Sequence, residues 1–111
     1  MSEATTRSIA HFCEHLWLED GLAPLTLAAY RRDLEALAGW LEKHRGHALA
    51  DAGEGDLEAY LAWRFTEKIR PRSAARFTSS FRRYFRWLLR EGVITGDPTL
   101  RLDTPKLPRA L

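Results

Sequence analysis

Apolar residues recur three and four positions apart along most of the chain, and no stretch alternates apolar and polar positions long enough to predict a sheet. Ile9, Phe12, Cys13 and Leu16 predict a first helix between Thr5 and Asp20, with Gly21 as its stop. Pro24, suited to a first helical turn, precedes a second helix whose Leu27, Tyr30, Leu34, Leu37, Ala38 and Leu41 share one face. Gly46 is its expected stop. The glycine-rich stretch "GHALADAGEG" reads as a flexible connection to a third helix, with Asp56 as N-cap, Leu57, Leu61 and Phe65 packed, and Glu58 and Glu67 wet. Pro71 marks the next boundary and Gly92 the end of a fourth helix. Asp97 and Pro98 predict a short fifth, and two prolines soon after Asp103 argue against further helix. The expectation is all-α: four main helices plus a short fifth in one domain over 1–103, with 104–111 opening a linker.

The fourth helix, "RSAARFTSSFRRYFRWLLREG", changes the picture. At about 100° per residue from Arg72, the side chains of Arg76, Ser79, Arg83, Arg86 and Arg90 fall within roughly 40° of it, and Arg82 lies on the flank. Phe77, Phe81, Tyr84, Phe85 and Leu88 occupy the opposite side. Like charges three or four residues apart cost about 0.2–0.5 kcal/mol each, roughly 1–2 kcal/mol for this stripe. Burial of the aromatic face, at about 1.5–3 kcal/mol per large side chain, absorbs that cost but gives no reason for it. Glutamate or glutamine at half of these positions would keep the helix without the repulsion. An anionic partner supplies the reason: the stripe is roughly 27 Å long, and duplex DNA carries one phosphate per roughly 1.7 Å of axis. Arginine can also read guanine edges, and Ser73 and Ser79 are small enough for close approach. The competing reading pairs the stripe with acidic residues of the same domain.

Charge distribution sharpens the choice. The net +2 divides into seven Lys and Arg against twelve Asp and Glu in residues 1–69, which is −5, and ten against three in residues 70–111, which is +7. Such asymmetry points to an anionic partner of the second half. The chain is 45% hydrophobic, has the length of one compact domain, and carries aromatic residues enough to offset chain entropy. Its one cysteine, Cys13, cannot form an intrachain disulfide, and neither a secretory signal nor a membrane-length apolar run is visible, so a cytoplasmic location is expected.

Three segments, "LWLEDGLAPLTLAAYRRDL", "SAARFTSSFRRYFRWLLREG" and "DPTLRLDTPKLPRAL", resemble in order the N-terminal core-binding domain of the Xer tyrosine recombinases, more closely the XerD branch. The first holds the family's Thr-x-x-x-Tyr-x-x-Asp-Leu pattern, and the last its Asp-Pro followed by Pro-Lys-x-Pro. The resemblance implies a SAM-like bundle that forms half of a clamp on a recombination half-site of duplex DNA, its second and fourth helices facing the DNA. It puts Thr26, Tyr30 and Arg31 on the DNA side of the second helix and Ser73, Arg76, Ser79 and Arg82 on the fourth. Arg72, Arg83, Arg86 and Arg90 join them from the helical wheel alone. Arg82 could instead pair with a carboxylate such as Asp33. Ala23 and Pro24 stand where relatives often carry Ser or Asn-type residues, which bears on any side-chain cap there.

The resemblance also implies that the chemistry, strand cleavage by a tyrosine that forms a 3′-phosphotyrosyl link, belongs to a C-terminal domain beyond Leu111. No catalytic residue is therefore expected here; Tyr60 and Tyr84 are expected to pack. It further implies a XerC-like partner recombinase and a DNA translocase in chromosome dimer resolution. An integrase of a mobile element and an all-α module docking an acidic protein surface remain the alternatives. No cofactor is expected. His11 and His15 lie one turn apart but lack a third ligand, and the glycines at 46, 53 and 55 lack the Gly-Lys-Ser/Thr ending of a phosphate loop. Trp17, Trp40, Trp63 and Trp87 are too scattered for a stacking platform and are expected in packing.

Overall fold

A computed structural model describes residues 1–102. The expected linker at 104–111 lies outside the described residues. Four helices, α1 (Glu3–Asp20), α2 (Pro24–His44), α3 (Glu54–Thr66) and α4 (Pro71–Arg90), and one 3-10 turn, Leu49–Asp51, make up the regular structure, with no strand among the described residues. The helix α2 lies at the centre, packed against α1, α3, α4 and the 3-10 turn.

Local chemistry sets most of the boundaries. Ser2 Oγ accepts from Thr5 N at the start of α1, and Gly21, at φ 62°, ends it in the left-handed conformation that glycine adopts without a Cβ clash. Pro24 occupies the first turn of α2, and Ala23 gives no side-chain cap. The glycine-rich connection is not loose: Leu49 and Ala52 are buried in the core and pin it.

Asp56 does not cap α3 from outside. The helix starts at Glu54 with Gly53 as N-cap, and Asp56, in the first turn, reaches back to accept from Gly53 N at 2.9 Å and from Arg45 Nε at 2.8 Å. Glycine has no side chain to offer, so the acceptor comes from three residues inside. Burial alone would raise the Asp56 carboxyl, but the Gly53 N–H, Arg45 and nearby His47 bring it below the ordinary 3.8. A depressed folded-state pKa adds stability that is complete above the unfolded value and lost as pH falls through the folded one. Asp56→Ala is expected to cost about 1–2 kcal/mol at neutral pH. In thermal melts against pH, the gap from wild type should close only in acid, below 3.8.

One apolar core joins the helices. Phe12, Leu34, Leu37, Leu41, Leu57, Phe81 and Phe85 are fully buried. Tyr84 meets Phe12 edge-on at 5.3 Å, and its hydroxyl lies 2.7 Å from Ser8 Oγ, tying α4 to α1. Two expectations fail at helix ends. Phe65 is 49% exposed rather than packed, because it lies in the last turn of α3, beyond the stretch that Leu57, Tyr60 and Leu61 bury. The short fifth helix is a single turn over residues 98–101, capped by Asp97 Oδ1, which accepts from Thr99 N at 2.8 Å. Thr99 and Leu102 are buried while Leu100 and Arg101 are exposed, too short an apolar face to propagate a helix.

Candidate nucleic-acid interface

The helix α4 is two-faced, as its sequence predicts. Ala74, Phe77, Thr78, Phe81, Tyr84, Phe85 and Leu88 are buried; Arg72, Ser79, Arg83, Arg86 and Arg90 are exposed. Ser73, Arg76 and Arg82 lie half-buried between the faces. On α2, Arg31 is exposed and Thr26 half-buried. Tyr30 is 8% exposed and belongs to the core cluster, as its place on the apolar face with Leu27 and Leu34 predicts, which leaves little of its ring to an outside partner.

The arginines differ in what holds them. Arg76 Nε and Nη2 donate to Asp33 Oδ2 and Oδ1, each at 2.8 Å, in a bidentate pair between α4 and α2. Asp33 is 3% exposed and Arg76 39%. These hydrogen bonds hold the guanidinium pKa above its already high ordinary value. Arg82 does not take Asp33; its Nη2 donates to the Leu102 carbonyl and fastens the segment after α4. Arg83 reaches Asp20 at 3.4 Å with both partners nearly half exposed, a pair worth about 0–1 kcal/mol that a phosphate can displace. Arg90 Nη2 donates to His15 Nε2 at 3.2 Å. Arg72 and Arg86 have no carboxylate partner among the described residues. Internal contacts thus hold Arg76 and Arg82 and, loosely, Arg83 and Arg90, and leave Arg72 and Arg86 without a carboxylate partner among the described residues. Between α1 and α4, Phe12, Leu16, Asp20, Arg83, Arg86 and Arg90 help line an open cleft of about 490 Å³.

Asp33 stands out in the sequence as a motif residue and a possible partner of Arg82, but its pairing with Arg76, and the approach of Asp20 and His15 of α1 to the stripe, carry no signal there. Each lies more than forty positions from its partner and meets it only through helix packing.

Other candidate chemistry is occupied by packing. Tyr60 and Tyr84 are each 1% exposed, and burial raises both phenol pKa values, leaving no accessible nucleophile at either. Burial also raises the Cys13 thiol against the opposing charge of Arg31. Trp40 stacks on Trp63 at 6.3 Å and Trp87 tilts against Phe12, whereas Trp17 is 52% exposed. Among the described residues no helix is long and apolar enough to cross a membrane.

Comparison with known proteins matches residues 9–92 to the family described as phage integrase, N-terminal SAM-like domain. The tyrosine recombinase XerD of Pseudomonas putida is 46% identical over 103 residues, which are 93% of this chain and 34% of that protein. XerD of Xanthomonas campestris pv. campestris is 45% identical over 105 residues, 95% of this chain and 32% of the relative. XerD of Yersinia pestis is 43% identical over 111 residues, all of this chain and 37% of the relative. The chain therefore spans about a third of the length of the curated relatives it matches. With four helices packed as an all-α bundle and most of its length matched to one family, the chain belongs to the phage integrase N-terminal SAM-like domain family.

Proposed function

We propose that this chain is the DNA-binding, core-binding domain of a XerD-like site-specific recombinase. The observation that carries the proposal is the one-sided cationic face of α4, whose Arg72 and Arg86 have no internal counter-charge among the described residues and whose opposite face is buried. In this reading α4 and the exposed side of α2 lie against duplex DNA at a recombination half-site. Arg31, Arg72, Arg83 and Arg86 neutralise phosphates, Thr26, Ser73 and Ser79 permit close approach, and Arg90 extends the contact to the end of α4. Arg76 acts chiefly by fixing the crossing of α2 and α4, with its outward N–H groups left for a phosphate.

In this reading the parent acts in DNA recombination by forming a phosphotyrosyl link on a tyrosine outside this chain, a reading supported by the burial of Tyr30, Tyr60 and Tyr84 alike. A XerC-like recombinase and a DNA translocase complete the system that resolves chromosome dimers in the cytoplasm.

Fluorescence anisotropy with a labelled duplex tests the binding step. Log affinity should fall linearly with log salt, with a slope at least as steep as about −3.5, from about 0.9 per phosphate for Arg31, Arg72, Arg83 and Arg86 alone. No binding at low salt, or preference for an acidic polypeptide over duplex at equal charge, would overturn the proposal.

A further inference from the structure

The α4 stripe leaves a second concentration of positive charge unexplained. A cleft of about 490 Å³ opens between α2 and the turn from α3 to α4, and five cations line it: Arg32, Arg64, Lys68, Arg70 and Arg76. Its two carboxylates are already engaged, Asp33 by Arg76 at 2.8 Å and Glu67 by Arg64 at 3.9 Å. Arg32, Lys68 and Arg70 have no carboxylate partner among the described residues, so three uncompensated charges converge on one concavity.

The fold holds that cluster against local preference. Lys68 sits at φ 58°, in the left-handed region where a side chain is strained and glycine is not. Arg70 is the N-cap of α4 and no acid occupies its first turn, so the helix dipole opposes the charges gathered there. Arg64 Nε, on the cleft wall, is buried with no hydrogen bond, its ion-pair partner Glu67 being 3.9 Å away. An anion in the cleft would offset this repulsion.

We propose that this cleft is a second phosphate-binding subsite for the same duplex, formed by Arg32, Lys68 and Arg70 and joined to the α4 face through Ser73 and Arg76. The proposal rests on the DNA-binding reading above. Its occupant is a backbone phosphodiester, because Ser73 and Arg76 line the cleft and also belong to the expected DNA side of α4. None of the three cations carries a signal on the helical wheel of α4: Arg32 lies on another helix, and Lys68 and Arg70 precede the stripe.

Lys68→Gly separates binding from folding, because it removes the charge and the backbone strain together. Its melting temperature should equal or exceed that of wild type. Its salt slope for duplex should be shallower by about 0.9, with affinity lower by about an order of magnitude at 0.1 M salt. Arg70→Ala should give the same loss of slope. The cleft is refuted if both variants keep the wild-type slope while Arg83→Ala/Arg86→Ala loses slope, an outcome that leaves the α4 reading standing. Absence of duplex binding by wild type removes both readings together.

Discussion

Arg76→Ala should lower the unfolding free energy by about 2–4 kcal/mol, whereas Arg83→Ala and Arg86→Ala should each stay within about 0.5 kcal/mol of wild type. The three residues share one stripe, but their environments differ. Asp33 is 3% exposed and receives both of its hydrogen bonds from Arg76, so truncating the arginine leaves a largely buried carboxylate without either hydrogen bond. Arg83 and Arg86 leave nothing buried behind. Urea denaturation of the three variants checks the contrast, and Asp33→Ala/Arg76→Ala should recover much of the loss because both charges then disappear. Equal, small effects of all three single variants would contradict the role of the clasp. The same contrast means that weaker DNA binding by Arg76→Ala would report lost alignment of α2 and α4 as much as a lost phosphate contact.

Phe81→Ala is expected to cost about 3–5 kcal/mol, a large part of the roughly 5–15 kcal/mol that holds a domain of this size together. Phe81 is completely buried, stacks with Phe77 at centroids 6.4 Å apart, and contacts Tyr60 of α3 at 5.9 Å. Removing the ring leaves a cavity between α3 and α4 that neither helix can close without moving the exposed stripe. Phe65→Ala, at 49% exposure, should cost far less, although the sequence pattern treats the two phenylalanines alike. Chemical denaturation with one shared slope parameter distinguishes them.

The three long helices were legible because each carries an unbroken 3.6-residue repeat bounded by glycine or proline, and the aromatic face of α4 fell where the wheel placed it. Phe65 and the turn after Asp97 were misread because periodicity says nothing about whether a neighbour is present to cover a helix end. Tyr30 carries two readings, the apolar face of the second helix and the DNA side of the motif, and its depth is set by the packing of α1 and α4 onto α2. Pairing was the least legible property. Asp33 could serve either Arg76 or Arg82, one and a half turns apart, and only the crossing of α2 with α4 decides between them. Lys68 and Arg70 were invisible as a site because their cleft is made by a turn with no periodicity.

The exposed arginines of α4 are the proposed surface on which duplex DNA sits. Anisotropy titrations of Arg83→Ala/Arg86→Ala beside wild type, across a range of salt, test it most directly, because this pair can be removed without unfolding the domain. The double variant should keep the wild-type melting temperature and show a salt slope shallower by about 1.8, two contacts at about 0.9 each. An unchanged slope in a folded double variant would contradict it.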